Sequence, residues 1–189
     1  MSIVKLNNKA VSNATAFGSI SSLGSMVFIK KLTASSSATL SFVDGTDGVV
    51  LDDTYKEYVF TFNNMHPATD SAEFNFNMSI DGGSNYNVTK TTTIFDAYHS
   101  ENNTYAGIEY NGSYDLAQST SFQPLAYNTS NSNDMSLSGS LTLFNPSSTT
   151  FVKHFISRIN NGETSPSSID TFVAGYGNTT SAVDAIRFQ

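Results

Sequence analysis

The sequence predicts an all-β protein, an antiparallel β-sandwich, jelly-roll-like, of about ten strands. Three observations lead there. Apolar residues recur mostly with period two rather than 3.6, as in "MSLSGSLTLF" and "EFNFNMSI". The strand-like runs are rich in Phe, Tyr, Ile, Val and Thr and return at intervals of about 8–14 residues. Between them lie Gly-, Asn-, Asp- and Ser-rich stretches such as Asp44-Gly45-Thr46-Asp47-Gly48 and Asp81-Gly82-Gly83, which supply turn chemistry.

Taken in chain order, residues 26–32 (MVFIKKL) and 38–43 (ATLSFV) read as the first two strands of the body. Residues 57–62 (EYVFTF) and 73–80 (EFNFNMSI) read as two antiparallel strands. Phe60 and Phe62 share one side of the first, and Phe74, Phe76, Met78 and Ile80 share one side of the second. Their connection, "NNMHPATD", is the one place with a case for helix, a turn or so over 65–72 with Pro67 at its first position. Residues 86–98 form a long Thr-rich, β-branched strand. Residues 106–112 and 120–127 are shorter, and Pro124 assigns the latter to a sheet edge because it lacks an N–H to donate. In 135–144, Met135, Leu137, Leu141 and Leu143 share one face with Gly139 between them, and Ser136, Ser138, Ser140 and Thr142 take the other. Residues 149–159, 170–176 and 182–189 complete the set, with 111–134 as the most loop-like excursion. A last strand at Arg187-Phe188-Gln189 requires pairing with something earlier in the chain.

A chain of 189 residues suits one domain. Residues 26–189 are read as the sandwich. Residues 1–25 are read as an N-terminal arm or first edge strand, with Ile3, Val4 and Leu6 as the apolar contacts by which the arm anchors to another subunit through strand addition.

Charged residues are only 13% of the chain, about half the usual share. Ser, Thr and Asn fill about a third of it or more. Fourteen Phe and nine Tyr argue against disorder, because disordered chains are poor in aromatics. The net charge is −7 and the nine Lys and Arg are scattered, with Lys30-Lys31 the only basic pair. Neutralising phosphates needs clustered cations, so no nucleic-acid partner is expected. The absence of cysteine excludes disulfides, thiolate metal sites and thiol nucleophiles. No run approaches the length of a membrane span, and the N-terminus has no signal-peptide apolar region. The chain is therefore expected to be made and folded in a cytosol.

The residues able to carry chemistry do not form a known spacing. His66 and Asp70 flank a turn, where Pro67 fixes the backbone and Asp70 caps it. A triad reading would need a Ser or Thr oriented by His66, and nothing singles one out. Asp96, His99 and Glu101 are near in sequence, but in a strand Asp96 and His99 point to opposite faces. His66, His99 and His154 make three histidines without zinc-site spacing. Asp44, Asp47, Asp52 and Asp53 depart from a calcium-loop pattern and, like "DGGSN" at 81–85, read as turn chemistry. No catalytic residue, metal or cofactor is expected. Tyrosines at turns and loops, Tyr105, Tyr110 and Tyr114 above all, are candidates for a sugar-stacking platform.

Residues 56–93 (KEYVFTFNNMHPATDSAEFNFNMSIDGGSNYNVTKTTT), followed by FDAYHSEN at 95–102, resemble a β-rich virion structural protein of marine bacteriophages and cyanophages. FNPSSTTFVKHFISRI (144–159) and AGYGNTTSAVDAIRFQ (174–189) resemble its later segments, and MSIVKLNNKAV is similar to the start of phage fibre and tail proteins. The resemblance implies a non-enzymatic virion structural protein: a capsid decoration, head fibre or tail-fibre component. It also implies other virion proteins of capsid or tail as partners, homo-oligomeric assembly, and residence in the virion after release from the host cytoplasm by lysis. It supplies no catalytic residues. In that family the "IRF" strand runs on into a further turn and strand, an ending this chain does not have. The alternative is a carbohydrate-binding module that uses the loop tyrosines on a host surface glycan.

Overall fold

The structure, a computed structural model, describes residues 26–189. Ten strands follow in order: β1 (Leu40–Val43), β2 (Glu57–Met65), β3 (Ala72–Ser79), β4 (Lys90–Ser100), β5 (Ala106–Tyr110), β6 (Gln123–Thr129), β7 (Leu137–Phe144), β8 (Lys153–Gly162), β9 (Ser167–Gly177) and β10 (Ala185–Phe188). They form two antiparallel sheets, a four-stranded one in the order β1-β10-β3-β6 and a six-stranded one in the order β2-β7-β8-β9-β4-β5. The described residues contain no helix, and the all-β sandwich expected from the period-two pattern is what they form.

The alternation that suggested strands is the alternation that fills the core. In β8, Phe155 and Ile159 point inward and are fully buried, while His154, Ile156, Arg158 and Asn160 point outward. In β7, Leu137, Leu141 and Leu143 line the interior. Gly139 lies between them because a Cβ there would come within 2.3 Å of the Arg158 carbonyl oxygen and 2.7 Å of the Ile159 Cα. The centre of the core is aromatic. Phe188 of β10 has ring neighbours at 4.9 Å (Phe62), 5.4 Å (Phe60), 5.9 Å (Phe74) and 6.4 Å (Phe42 and Phe76), drawn from both sheets.

The final strand is therefore internal. β10 pairs with β1 on one side (Leu40↔Phe188) and β3 on the other (Phe188↔Phe76), and both its edges are taken. Pro124 lies on an edge, as its missing N–H requires: β6 closes one side of the four-stranded sheet, and its register with β3 shifts next to the Asn75↔Pro124 pair.

Three expectations are corrected. Residues 26–32 are not a strand. They run irregularly, with Met26, Val27 and Phe28 exposed and Ile29 packed against the core. The four-stranded sheet begins instead at β1. Residues 66–71 form bends and a turn, not a helix. β2 and β3 do not pair with each other. β2 pairs with β7, whereas β3 pairs with β10 and β6, so "NNMHPATD" arches from one sheet to the other. The left-handed residues Asn64 (φ 51°) and Ser71 (φ 55°) turn the chain out of the sheet at either end of this arch, and Phe62 and Phe74 then meet across the core at 4.9 Å. Ile80 falls beyond the end of β3 and is 43% exposed. The arm at 1–25, with Ile3, Val4 and Leu6, lies outside the described residues.

Candidate interaction face

The outward face of the six-stranded sheet carries the most distinctive surface of the described chain. One row of register partners crosses all six strands: Thr61, Ser140, Arg158, Phe172, Phe95 and Tyr110. At the usual strand spacing this row is about 24 Å long. Beside it runs a second row, Val59, Thr142, Ile156, Ala174 and Thr93, and on the other flank Ser138, Asn160, Asp170, Ala97 and Ile108.

Apolar side chains concentrate here. Ile108 is 77% exposed, Tyr110 58%, Ile156 57%, and Val59 and Phe95 43% each. Five of the eleven exposed large hydrophobics among the described residues thus share this one face, which is more than scattered surface exposure accounts for. Phe95 and Phe172 stack with centroids 4.7 Å apart and planes 3° from parallel. Arg158 lies 4.9 Å over the Phe172 ring and grips Asp170 with two nitrogens, Nε at 3.0 Å and Nη2 at 2.6 Å from Oδ2. Arg158 and Asp170 are the only charged groups in the three rows, and each offsets the other. Glu57 stands at the rim, at the start of β2. A shallow depression of about 490 Å³ opens at the β5 end, over Ala97, His99, Ala106, Ile108 and Ser168.

The three tyrosines proposed as a sugar platform are not one platform. Tyr110 is at the end of the central row, and its hydroxyl donates to Asp115 Oδ2 at 2.5 Å, which pushes the phenol's pKa up. Tyr105 precedes β5 and turns toward Tyr98, ring to ring at 6.0 Å. Tyr98 lies on the opposite side of the sheet from Ala97 and His99, and a Cβ on Gly107 would meet its hydroxyl. Tyr114 is half-buried, stacked on Tyr127 at 4.4 Å and packed against the core.

The other candidates are held apart. His66 Nδ1 bonds the Met135 carbonyl oxygen at 2.8 Å, while Asp70 Oδ1 accepts from the Asn131 N–H at 3.2 Å and the Thr164 hydroxyl at 3.3 Å. Both brace the β6–β7 connection, at different points, and Asp70 also ties in the β8–β9 turn through Thr164. Asp96 faces inward at zero exposure, bonded by the Tyr127 hydroxyl at 2.6 Å and Asn111 Nδ2 at 3.2 Å, and His99 faces outward to Asn103 at 3.0 Å. Asp44 accepts the Leu51 N–H and Asp52 the Thr54 N–H, both at 2.8 Å, as turn caps do. Asp81 accepts from Asn85 and Ser79, and these hydrogen bonds, Asn85's first, hold its pKa below the ordinary carboxylate value. Among the described residues no three His, Asp or Glu side chains gather as metal ligands would. No helix there is long and apolar enough to cross a membrane.

The outward face was missed from the sequence, although a signal was present. Ile94-Phe95 and Phe172-Val173 are adjacent large apolar pairs within period-two strands, so one member of each must face out. Compared with family models, with curated proteins and with solved structures, the chain gives no match.

Proposed function

We propose that the chain is a non-enzymatic structural subunit of a virus particle, a capsid decoration, head-fibre or tail-fibre component, that works by contact between subunits. The observation that carries this reading is the outward face of the six-stranded sheet: aromatic and aliphatic along its rows, with its one ion pair internally balanced. A chain of net charge −7 repels its own copies over most of its surface, but two of these faces meet without bringing like charges together. The occupant of the face is accordingly a second copy of this chain, with other virion proteins as further partners.

The strand order supports a jelly-roll reading. The four-stranded sheet takes the first, last, third and sixth strands. If the β8–β9 hairpin is set aside as an insertion between β7 and β10, the other sheet keeps β2, β7, β4 and β5. That leaves two sheets of four, an architecture common in capsid and lectin domains. The sequence resemblance to phage virion proteins points the same way.

The test is Ile156→Asp, alone and with Ile108→Asp, followed by light scattering. The expected result is loss of assembly with the urea midpoint unchanged, since both side chains are exposed. Assembly that survives both changes would refute the face as the contact. The carbohydrate-binding alternative rests on the depression beside β5 and on the exposed Tyr110 ring. It predicts that Tyr110→Ala abolishes glycan binding and Tyr114→Ala acts only through stability.

A further inference from the structure

Two buried lysines flank Gly177 at the end of β9. Lys90 opens β4 and Lys153 opens β8, and both are register partners of that glycine. Neither is exposed to solvent. Lys153 Nζ donates to three backbone carbonyls, of Ser148 at 2.6 Å, Phe151 at 2.8 Å and Thr179 at 3.3 Å. Three acceptors match the three N–H bonds of an ammonium. Lys90 Nζ has two, Asn77 Oδ1 at 2.6 Å and the Val88 carbonyl oxygen at 2.9 Å. Two acceptors match a neutral amine, which keeps a lone pair. The only ion pair among the described residues joins Arg158 to Asp170, so no carboxylate balances a charge at Lys90. Burial pushes its pKa down to about 7.

The partner amide is held as firmly. Asn77 is on β3, in the opposite sheet, at zero exposure. Its Nδ2 donates to the Thr120 carbonyl oxygen at 2.9 Å and lies 3.4 Å from that of Ser121. Its Oδ1 accepts the Met78 N–H at 2.8 Å as well as Lys90. An amine is thus fixed one atom away from an amide carbon, in a core that excludes water.

We propose that Lys90 and Asn77 join covalently, the amine displacing ammonia from the side-chain amide to leave an isopeptide bond that staples the two sheets together. The Nζ lone pair attacks Cγ, and the carbonyl π pair moves onto Oδ1, where the Met78 N–H stabilises the developing charge. One proton passes from Nζ to Nδ2. The Cγ–Nδ2 bond then breaks, its electron pair leaves with ammonia, and the carbonyl reforms. One C–N bond forms and one breaks, with no oxidant, reductant or co-reactant. Proximity drives the step, and the absence of bulk water suppresses hydrolysis of the amide. No carboxylate hydrogen-bonds to either side chain, so the proton transfer is internal to the adduct and the linked fraction grows slowly after folding. The staple would give a chain with no cysteine a covalent cross-link between its sheets.

The experiment is mass spectrometry of the purified full chain, fresh and after several days at about pH 9, where the amine is neutral. The expected result is a mass lower by about 17 Da, the expelled ammonia, rising in fraction with time, and a branched tryptic peptide that joins the segments holding Asn77 and Lys90. Asn77→Ala and Lys90→Met should each abolish the branched peptide. Recovery of the two segments as separate peptides from the aged wild-type chain, with trypsin cutting after Lys90, would overturn the proposal. A loss of the same mass without the branched peptide is a succinimide at an asparagine and would overturn it equally.

Discussion

Phe188→Ala removes the ring around which the core is arranged. Phe188 is 4% exposed, and its five ring neighbours come from both sheets: Phe42, Phe74 and Phe76 on one side, Phe60 and Phe62 on the other. Truncating a buried Phe costs about 3–5 kcal/mol through lost transfer energy and the cavity left behind. Aromatic pairs add about 0.5–1.5 kcal/mol each beyond area, and several are lost here, so the upper end, about 5 kcal/mol, is expected. The backbone pairing of β10 with β1 and β3 is untouched, so the cost comes from side-chain packing alone. With a urea slope of about 2 kcal/mol/M, the midpoint should fall by about 2.5 M. Phe95→Ala, on the outer face, should move it by less than half as much. A loss below about 1 kcal/mol for Phe188→Ala would refute the placement of the last strand at the centre of its sheet.

Other outcomes follow from the same packing. Gly139→Ala forces a Cβ against the Arg158 carbonyl and Ile159 in the middle of the six-stranded sheet, and should lower stability by about 1–3 kcal/mol in the same urea assay. The Tyr127 phenol is pushed well above its ordinary pKa by burial first and then by its hydrogen bond to Asp96. A raised pKa gives stability that is complete below the ordinary value near 10 and lost as pH climbs past it. Tyr127→Phe should therefore cost about 1–3 kcal/mol at neutral pH, because it leaves the buried Asp96 with only the longer Asn111 hydrogen bond, and should make the alkaline fall shallower. Asp81 has the opposite sign: its lowered pKa gives stability present above the ordinary carboxylate value and lost as pH falls through the folded one. Asp81→Ala should show a shallower acid limb when thermal midpoints are followed from neutral pH downward.

The fold was legible where one face is wet and one dry. β7 alternates so cleanly that its inward leucines could be read directly, and Pro124 marked its own strand as an edge. Pairing partners were not legible. β2 and β3 carry the pattern of a hairpin, but the pattern records only which residues face the core. Two strands that face each other across it look the same as two that pair side by side. Residues 26–32 have strand composition, but local propensity does not supply a sheet edge to pair with. Of the tyrosines, the half-burial of Tyr114 was not legible, because its stacking on Tyr127 is a contact between a loop and β6 that no spacing shows. The Lys90–Asn77 contact was equally hidden, since it spans the two sheets.

The most direct test of the account is the mass of the full chain in solution, measured by light scattering over a range of concentrations. A single chain is 20.4 kDa. The outward face of the six-stranded sheet predicts a defined multiple of that mass, stable to moderate salt because the contact is apolar. A mass that stays at one chain up to the highest concentrations would contradict self-assembly through this face.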